Sequence, residues 1–271
     1  MKVLLMTGSH PRHIYVAKKL QDNGFLDGIL IEKRENFVPK PPNDLPAIDR
    51  NNFIRHFEAR EKAEEKFFGN KSLEDLHMNI IFKQITKEQL NSEEVIKWVI
   101  DLRPDVVLSY GVHKLSSDFL KILPKNSFNI HGGLSPWYRG NITLFWPFYF
   151  LKPNWAGMTI HELSERIDGG DIIHHSVPDL IRGDGIHDVA CKAVIQVVED
   201  LIRILKMIEE GKELRRVPQG TFGKIFIASD WKPQHLRLIY NTFNNDIVDR
   251  FLDGELGYDE LKLVRAFKLY N

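Results

Sequence analysis

The sequence lacks the features that most directly restrict where a protein works. Cys191 is the only cysteine among 271 residues, so an intramolecular disulfide is impossible, and we expect it to be a small buried residue. No apolar run approaches the roughly 18 residues of a transmembrane helix, and MKVLLMTGSHPRH at the N-terminus has too short an apolar stretch for a signal peptide. We therefore expect a protein of the reducing cytoplasm with no membrane partner.

An excess of charge of either sign is also missing. Lys+Arg and Asp+Glu both number 37, so no global basic field favours a nucleic-acid partner. Hydrophobic residues make up 43% of the chain, which is enough for a sizeable core. The length suits one large domain, or one domain with a smaller appendage.

Several nucleotide-binding and catalytic fingerprints are absent. After the first apolar run the chain reads GSHPRH, with one glycine where a dinucleotide site needs G-x-G-x-x-G. The sequence contains neither a P-loop nor the G-x-S-x-G elbow of serine hydrolases. His174–His175 and the pair His10 and His13 lack the spacing of a metal-ligand set, so no metal is expected. The turn at Ser9 either binds an anion through backbone N–H groups or is an ordinary turn.

The chain does contain short apolar runs that alternate with amphipathic or charged stretches. The predicted strands are Val3–Met6, Leu26–Glu32, Met78–Ile85, Asp105–Tyr110, Ser127–His131, Trp155–Leu163 and Asp171–Val177. The predicted helices are Pro11–Leu20, an exposed helix Asn51–Phe68, Ser92–Leu102, a short helix ending at Ile122, and Gly185–Glu210, with a loop at 34–50. This order predicts an α/β fold with an open, mostly parallel, Rossmann-like sheet.

The last two predicted strands, Trp155–Leu163 and Asp171–Val177, are expected to extend this sheet in antiparallel fashion. The amphipathic helix Gly185–Glu210 is suited to packing on the sheet or to a subunit contact. A strand-like piece, Lys224–Ala228, and helical pieces follow it. We therefore expect a small C-terminal α/β appendage.

Two polar side chains stand where the fifth predicted strand ends, in FNIHGGLSPWYRGN (128–141). Asn129 and His131 are two residues apart, so they point to the same face at the carboxyl end of a strand, where open α/β sheets bind ligands. An Asn amide donates to a developing oxyanion, and a His exchanges protons near pH 7. A strand that ends in capped turn residues is the alternative. Asp168, in IDGGDII (167–173), adds a carboxylate that orients a nearby imidazole.

Four motifs in order carry a resemblance to a known family. Asn129-Ile130-His131 is followed by LSPWYRG (134–140), AGMTIH (156–161) and IDGGDII. Together they resemble the formyltransferases that use 10-formyltetrahydrofolate, over roughly residues 75–180. The resemblance implies the formyltransferase fold, with a catalytic domain at 1–185 and a long helix plus C-terminal segment at 186–271.

The resemblance also implies the roles of the catalytic residues. Asn129, His131 and Asp168 are the expected catalytic trio for attack by a primary amine on the formyl carbon. Asn129 and protonated His131 would stabilise the oxyanion, while Asp168 would hold His131 and help to move the amine proton through water. Because the amine must be uncharged, activity is expected to fall at acid pH.

The expected folate contacts come from two segments that flank the trio. The family binds the pterin end of the folate against backbone before the N-x-H motif and before the aspartate. By position, these residues are Tyr110, Gly111, Val112, Leu115, Leu120, Glu165, Arg166 and Ile167. For Leu115 and Leu120, packing in the core is an equal alternative.

The acceptor amine remains open among an amino sugar on a nucleotide diphosphate, methionyl-tRNA and glycinamide ribonucleotide. The positive and negative charges after the long helix nearly cancel, unlike a tRNA-binding surface, and GSHPRH departs from the purine enzyme's anion loop. Sugar N-formyltransferases of glycan biosynthesis, such as O-antigen or capsule pathways, are the most similar overall. We expect an amino-sugar acceptor, with a 4-amino-4,6-dideoxyhexose favoured, and a homodimer. A catalytically idle folate-binding module is the alternative outside enzymes.

The candidate acceptor contacts lie in two places. The residues are Ser9, His10 and Arg12 for a diphosphate, and Gly132, Gly133, Trp137 and Arg139 beside the catalytic trio. Gly132 and Gly133 stand where tRNA and purine enzymes commonly have Pro-Ser, which is expected to open this loop. Arg139 is equally suited to anchor the turn. Phe145 and Trp146 are expected to pack in the core.

Overall fold

A computed structural model describes residues 1–33, 38–69, 72–76, 79–220 and 223–267. Its strands are β1 (Val3–Thr7), β2 (Gly28–Glu32), β3 (Ile81–Ile85), β4 (Val106–Tyr110), β5 (Asn126–His131), β6 (Tyr138–Gly140), β7 (Met158–Glu162), β8 (Ile172–Ser176) and β9 (Lys224–Phe226). Its helices are α1 (Pro11–Asp22), α2 (Ala47–Phe68), α3 (Glu93–Leu102), α4 (Ser117–Lys121), α5 (Trp146–Tyr149), α6 (Ile186–Glu209) and α7 (Ile247–Leu252). Short 3₁₀ and π turns connect several of these elements.

Seven strands form one sheet in the order β3-β2-β1-β4-β5-β7-β8. The first five are parallel, whereas β7 pairs antiparallel with both β5 and β8. The predicted open, mostly parallel sheet with an antiparallel extension is therefore confirmed. The strand order reverses between β1 and β4, which places a ligand crevice at the carboxyl ends of these strands.

The sheet is covered on both faces, which explains why its central strands are apolar throughout. Side chains of one face, including Leu5 and Leu108, pack with α1 and with the buried stripe of α6. The other face, including Leu4 and Val107, packs with α3 and α4. Because α6 belongs to the main core, it fixes the sheet from one side. The division into two units at residue 185 remains a prediction.

Local sequence signals locate most element ends correctly. Ser92 accepts a hydrogen bond from the Val95 N–H at the start of α3, and Ser116 accepts one from Phe119 N–H at the start of α4. The strand predicted from Met78 begins at Ile81, and Met78 itself lies outside the described residues. The strand predicted from Trp155 begins only at Met158, because Pro153–Trp155 form a 3₁₀ turn.

The helix predicted as exposed differs most from its prediction. α2 begins at Ala47, four residues earlier than expected, and buries seven side chains. The C-terminal segment covers it: Arg237 donates two hydrogen bonds of 2.7 Å to the buried Asp49, and Tyr240 contacts His56 Nδ1 at 2.9 Å. Polar residues almost 190 positions away therefore cover this charged helix. The hydrophobic periodicity of the helix sequence does not indicate such burial.

The C-terminal segment is tied to the sheet as well as to α2. Val217 pairs with Ile172 of the edge strand β8, and His175 N–H donates to the Val264 carbonyl at 2.8 Å. An aromatic cluster around Phe226, Trp146 and Tyr240 fills the space between this segment and α5. The predicted strand at Lys224–Ala228 is present as β9, which pairs with β6.

Cys191 is buried, as expected, and burial raises the pKa of its thiol. Phe145 and Trp146 are core residues, each 4% exposed. No helix within the described ranges is long and apolar enough to cross a bilayer.

Buried imidazoles predict a loss of stability in acid. Burial lowers the pKa of His175 to about 4 and that of His187 to about 3. An unfolded His titrates near 6.5, so the unfolded chain takes up protons first. The contribution of each neutral imidazole to the free energy of unfolding is fully present above about pH 6.5. It declines as the pH falls toward 4, and for His175 the total loss is on the order of 3 kcal/mol. Urea unfolding between pH 8 and 4 measures how the free energy of unfolding depends on pH. His187→Asn should make this dependence less steep. An equal slope in both proteins would contradict it.

Candidate active site

The three predicted catalytic side chains meet in space. Asn129 and His131 project from the end of β5, and Asp168 lies on the loop between β7 and β8. Asn129 Nδ2 donates to Asp168 Oδ1 at 3.2 Å, and His131 Nδ1 lies 3.4 Å from Asp168 Oδ2. One carboxylate therefore connects both β5 side chains.

The Asp168 carboxylate is largely enclosed by hydrogen-bond donors. Its side chain is 14% exposed, and the backbone N–H of Gly140 donates to Oδ2 at 2.8 Å. Burial by itself raises the pKa of Asp168, but the imidazoles of His131 and His161 and the Gly140 N–H hold it well below its usual range. The carboxylate is therefore ionised throughout the physiological pH range.

His161 is a site residue that the sequence interpretation did not single out. Its Nδ1 lies 2.8 Å from the Glu162 carbonyl, which can only accept, so Nδ1 carries the proton. The unprotonated Nε2 then accepts from Asn129 Nδ2 at 3.2 Å, which fixes the orientation of the Asn129 amide. The signal was present in the AGMTIH motif, because antiparallel pairing of β7 with β5 sets His161 opposite Asn129.

The proton on His131 is also located by its partners. His131 Nε2 lies 2.8 Å from the Tyr138 carbonyl and must donate to it. Burial lowers the pKa of His131, although the nearby Asp168 opposes this shift. Burial therefore favours the neutral imidazole in the free protein, whereas the family resemblance implies a protonated His131 during the reaction.

Three of the predicted folate residues share one apolar cluster. Val112, Leu115 and Leu120, which follow β4, pack in the same apolar cluster as Leu163 at the start of the Asp168 loop. Leu115 is buried in this cluster, whereas Val112 and Leu120 are only partly buried. The remaining positions differ in exposure: Tyr110 is buried, Gly111 is exposed at the end of β4, and Glu165, Arg166 and Ile167 are exposed.

The candidate diphosphate contacts lie at the end of β1, two strands from β5. This separation corresponds to about 10 Å at ordinary strand spacing. Arg12 Nη1 donates to Glu64 Oε1 at 2.6 Å, and Arg12 Nη2 lies 3.3 Å from His10 Nδ1. The guanidinium therefore already binds a carboxylate of α2. A role for Ser9, His10 and Arg12 in acceptor binding remains a prediction.

Trp137 and Arg139 lie on the loop beside the trio. Trp137 lines a cleft of about 490 Å³ whose other lining residues are Tyr138, Phe150, Lys152, Trp155, Gly223, Lys224 and Phe226. Arg139 Nη2 donates to the Gly223 carbonyl at 3.4 Å, which supports an anchoring function. The cleft is largely aromatic, with two lysines.

Gly132 and Gly133 differ in what surrounds them. A Cβ at Gly133 would lie 2.5 Å from the Tyr138 carbonyl oxygen and 2.9 Å from His131 Nε2. At Gly132 the nearest atom to a Cβ would be Leu144 Cδ1, at an ordinary 3.6 Å. Gly133 therefore permits close packing of the loop on His131, which differs from the open loop that we expected.

The described part of the chain contains no cluster of three or more His, Cys, Asp or Glu side chains arranged to hold a metal ion. An arrangement of an amide donor, an imidazole and an ionised carboxylate is suited to acyl-type transfer to an amine.

The two glycines provide a matched pair of variants. Gly133→Ala should lower the free energy of unfolding by about 1–3 kcal/mol, because the new methyl group collides with backbone and with His131. Gly132→Ala should change it by less than about 0.5 kcal/mol. Urea unfolding of both variants measures the difference, and equal losses would contradict the packing argument.

The sequence and the fold both match known proteins. The family model described as Formyl transferase matches residues 58–203, more than half of the chain. A 4-N formyltransferase from Francisella tularensis has a TM-score of 0.53 at 17% identity, covering 85% of this chain and 78% of that one. Phosphoribosylglycinamide formyltransferase from Anaplasma phagocytophilum has a TM-score of 0.56 at 16% identity, covering 84% and 98%.

A third similar structure was solved with ligands. The formyltransferase PseJ from Anoxybacillus kamchatkensis, in complex with UDP-4,6-dideoxy-4-formamido-L-AltNAc and tetrahydrofolate, has a TM-score of 0.51 at 17% identity. The alignment covers 90% of this chain and 95% of that one. At such identities the structural likeness establishes the fold, and the family match over more than half of the sequence places this chain in the formyl transferase family, as a formyltransferase.

Proposed function

We propose that this protein transfers the formyl group of 10-formyltetrahydrofolate to the primary amine of a nucleotide-diphosphate-linked amino sugar. The convergence of Asn129, His131 and Asp168 carries the proposal of formyl transfer. The aromatic cleft that borders Trp137 supports a nucleotide sugar as the acceptor.

The residues around the trio fit a folate as co-substrate. The partly buried Val112, Leu120 and Leu163 offer an apolar wall for a flat pterin ring, and backbone of the loop before Asp168 is exposed beside it. The bound folate supplies an activated formyl group. Asn129 Nδ2, which now donates to Asp168 and His161, is the group that donates to the formyl oxygen.

His131 and Asp168 are arranged to take up a proton. With Nε2 committed to the Tyr138 carbonyl, a proton leaving the amine is held at His131 Nδ1, from which it passes to the folate nitrogen as the bond between that nitrogen and the formyl carbon breaks and tetrahydrofolate departs. Asp168 Oδ2, 3.4 Å away, stabilises the imidazolium that this produces. The low pKa of Asp168 keeps it as a charged partner rather than a competing proton acceptor.

The cleft offers contacts for both parts of a nucleotide sugar. Trp137 and Trp155 lie edge to face with ring centroids 5.0 Å apart, and Phe226 completes an apolar lining for a base or sugar ring. Lys152 and Lys224 line the same cleft and carry positive charge suited to a diphosphate. Each lysine now pairs with an aspartate, Asp259 or Asp230, so a phosphate would replace an existing partner.

Formyl transfer to a panel of acceptors tests the proposal. With 10-formyltetrahydrofolate, we expect turnover on nucleotide-linked 3- or 4-amino sugars and none on glycinamide ribonucleotide or methionyl-tRNA.

His131→Ala should lower kcat by about 10³-fold, because it removes the proton acceptor. Turnover confined to the ribonucleotide or tRNA would overturn the acceptor class. Folate binding without turnover on any acceptor would favour an idle module, and an undiminished rate in His131→Ala would refute the mechanism.

The cleft makes a separate prediction about acceptor affinity. Lys224→Ala should raise the KM for the nucleotide sugar by about 5- to 20-fold, because one charged contact to phosphate is lost, and leave the KM for the folate unchanged. Lys232→Ala, which removes an exposed lysine outside the cleft lining, is the matched control. Equal effects of the two substitutions would exclude the cleft as the diphosphate site.

A further inference from the structure

The segment 214–219 runs beside the active-site strands although it lies far along the chain. Leu214 is buried in the main core, and Val217 forms a two-way backbone pair with Ile172 of β8. Arg216 binds Glu162 of β7 and donates to Asn126 Oδ1 of β5 at 3.3 Å. The residue two positions after Val217, Gln219, is therefore held at a fixed place next to the loop between β7 and β8.

Gln219 bridges the backbone on both sides of the catalytic turn. Its Nε2 donates to the Asp168 carbonyl at 2.8 Å and to the Gly170 carbonyl at 2.7 Å. Both partners can only accept, so the amide nitrogen must face them and the orientation of the side chain is settled. One NH₂ group thus binds the backbone of residues 168 and 170, which lie 51 and 49 positions before Gln219 in the sequence.

The turn that Gln219 bridges has an unusual backbone. Asp168 has a φ of 44°, in the left-handed region that a side chain with Cβ disfavours by about 1 kcal/mol. Gly170 sits so close to β7 that a Cβ would lie 1.9 Å from the Glu162 carbonyl oxygen. Such a turn needs partners for its carbonyl groups to remain in place. Besides Gln219, Ser135 Oγ approaches the Asp168 carbonyl at a long 3.5 Å.

We propose that Gln219 is a positioning residue for formyl transfer, which acts by holding the Asp168 turn so that the carboxylate stays against His131 and Gly140. The role rests on the proposed function, because it operates through Asp168. Gln219 lies outside residues 58–203, the part that matches the family, so the C-terminal segment completes the site.

Kinetics in two backgrounds test whether Gln219 acts through Asp168. Gln219→Met keeps the length and removes both hydrogen bonds, and should lower kcat by about tenfold with nucleotide-linked amino sugars. Gln219→Glu should lower it further, since a carboxylate oxygen would face two carbonyls. Gln196→Met, which removes an amide hydrogen bond to Asp200 on α6, is the matched control and should retain activity.

In an Asp168→Ala background, Gln219→Met should change kcat by less than about twofold, because its effect is transmitted through the absent carboxylate. The same tenfold loss in both backgrounds, or no loss beside an intact Asp168, would overturn the positioning role.

A second readout needs no acceptor and separates the two proposals. The Gly140 N–H donates to Asp168 Oδ2, so its hydrogen exchange by NMR reports the position of the carboxylate. Gln219→Met should speed this exchange by about tenfold or more, with the core amide of Leu108 unchanged and Gln196→Met without effect. Unchanged Gly140 exchange, or equal acceleration at Leu108, would overturn the inference. Faster Gly140 exchange in a protein that formylates no amino sugar would refute the proposed acceptor class alone.

Discussion

The largely enclosed, ionised carboxylate of Asp168 is the constraint on which the architecture of the site depends. A charge that is only 14% exposed is stable in a folded protein when donors surround it. Here the donors are Asn129 Nδ2 on β5 and the Gly140 N–H of β6, and the imidazoles of His131 and His161 lie 3.4 and 3.7 Å from the carboxylate. Each element must therefore hold its position to within a hydrogen-bond length, which ties the sheet, the loop and the predicted catalytic groups into one unit.

The antiparallel pairing of β7 with β5 places His161 in the site. Because β7 runs antiparallel to β5, His161 lies opposite Asn129. On its other side, β7 pairs with β8, and the register of that pair shifts between Ile160 and His161. A parallel strand at this position would present different side chains to the end of β5. The His161 proton on Nδ1 then dictates which way the Asn129 amide points. The amide donor of the site is thus oriented by a neighbouring strand rather than by its own loop.

The loop after β5 is fixed from several directions at once. Ser135 N–H donates to Thr159 Oγ1 at 2.9 Å, and His175 Nε2 donates to the Ser135 carbonyl at 2.8 Å. His175 Nδ1 in turn accepts from Val264 N–H, so the C-terminal segment reaches this loop through one neutral imidazole. The same segment contributes Gln219 and β9. Through Val264, Gln219 and Arg237, the described part of this segment is therefore integrated with the loops of the candidate site and with α2.

The sequence alone determined the seven strands of the main sheet, the helices that pack on it and the family, and it predicted the trio. Apolar runs, caps and the N-x-H and IDGGDII motifs are local signals, and parallel strands bring their carboxyl ends to one edge. The tertiary structure decided what those signals do not encode. Burial of α2, the contribution of His161, close packing at Gly133, the neutral state of His131 and the contact of Gln219 all depend on distant partners. Such contacts leave no periodicity in the chain, because their partners meet through space and not along the sequence.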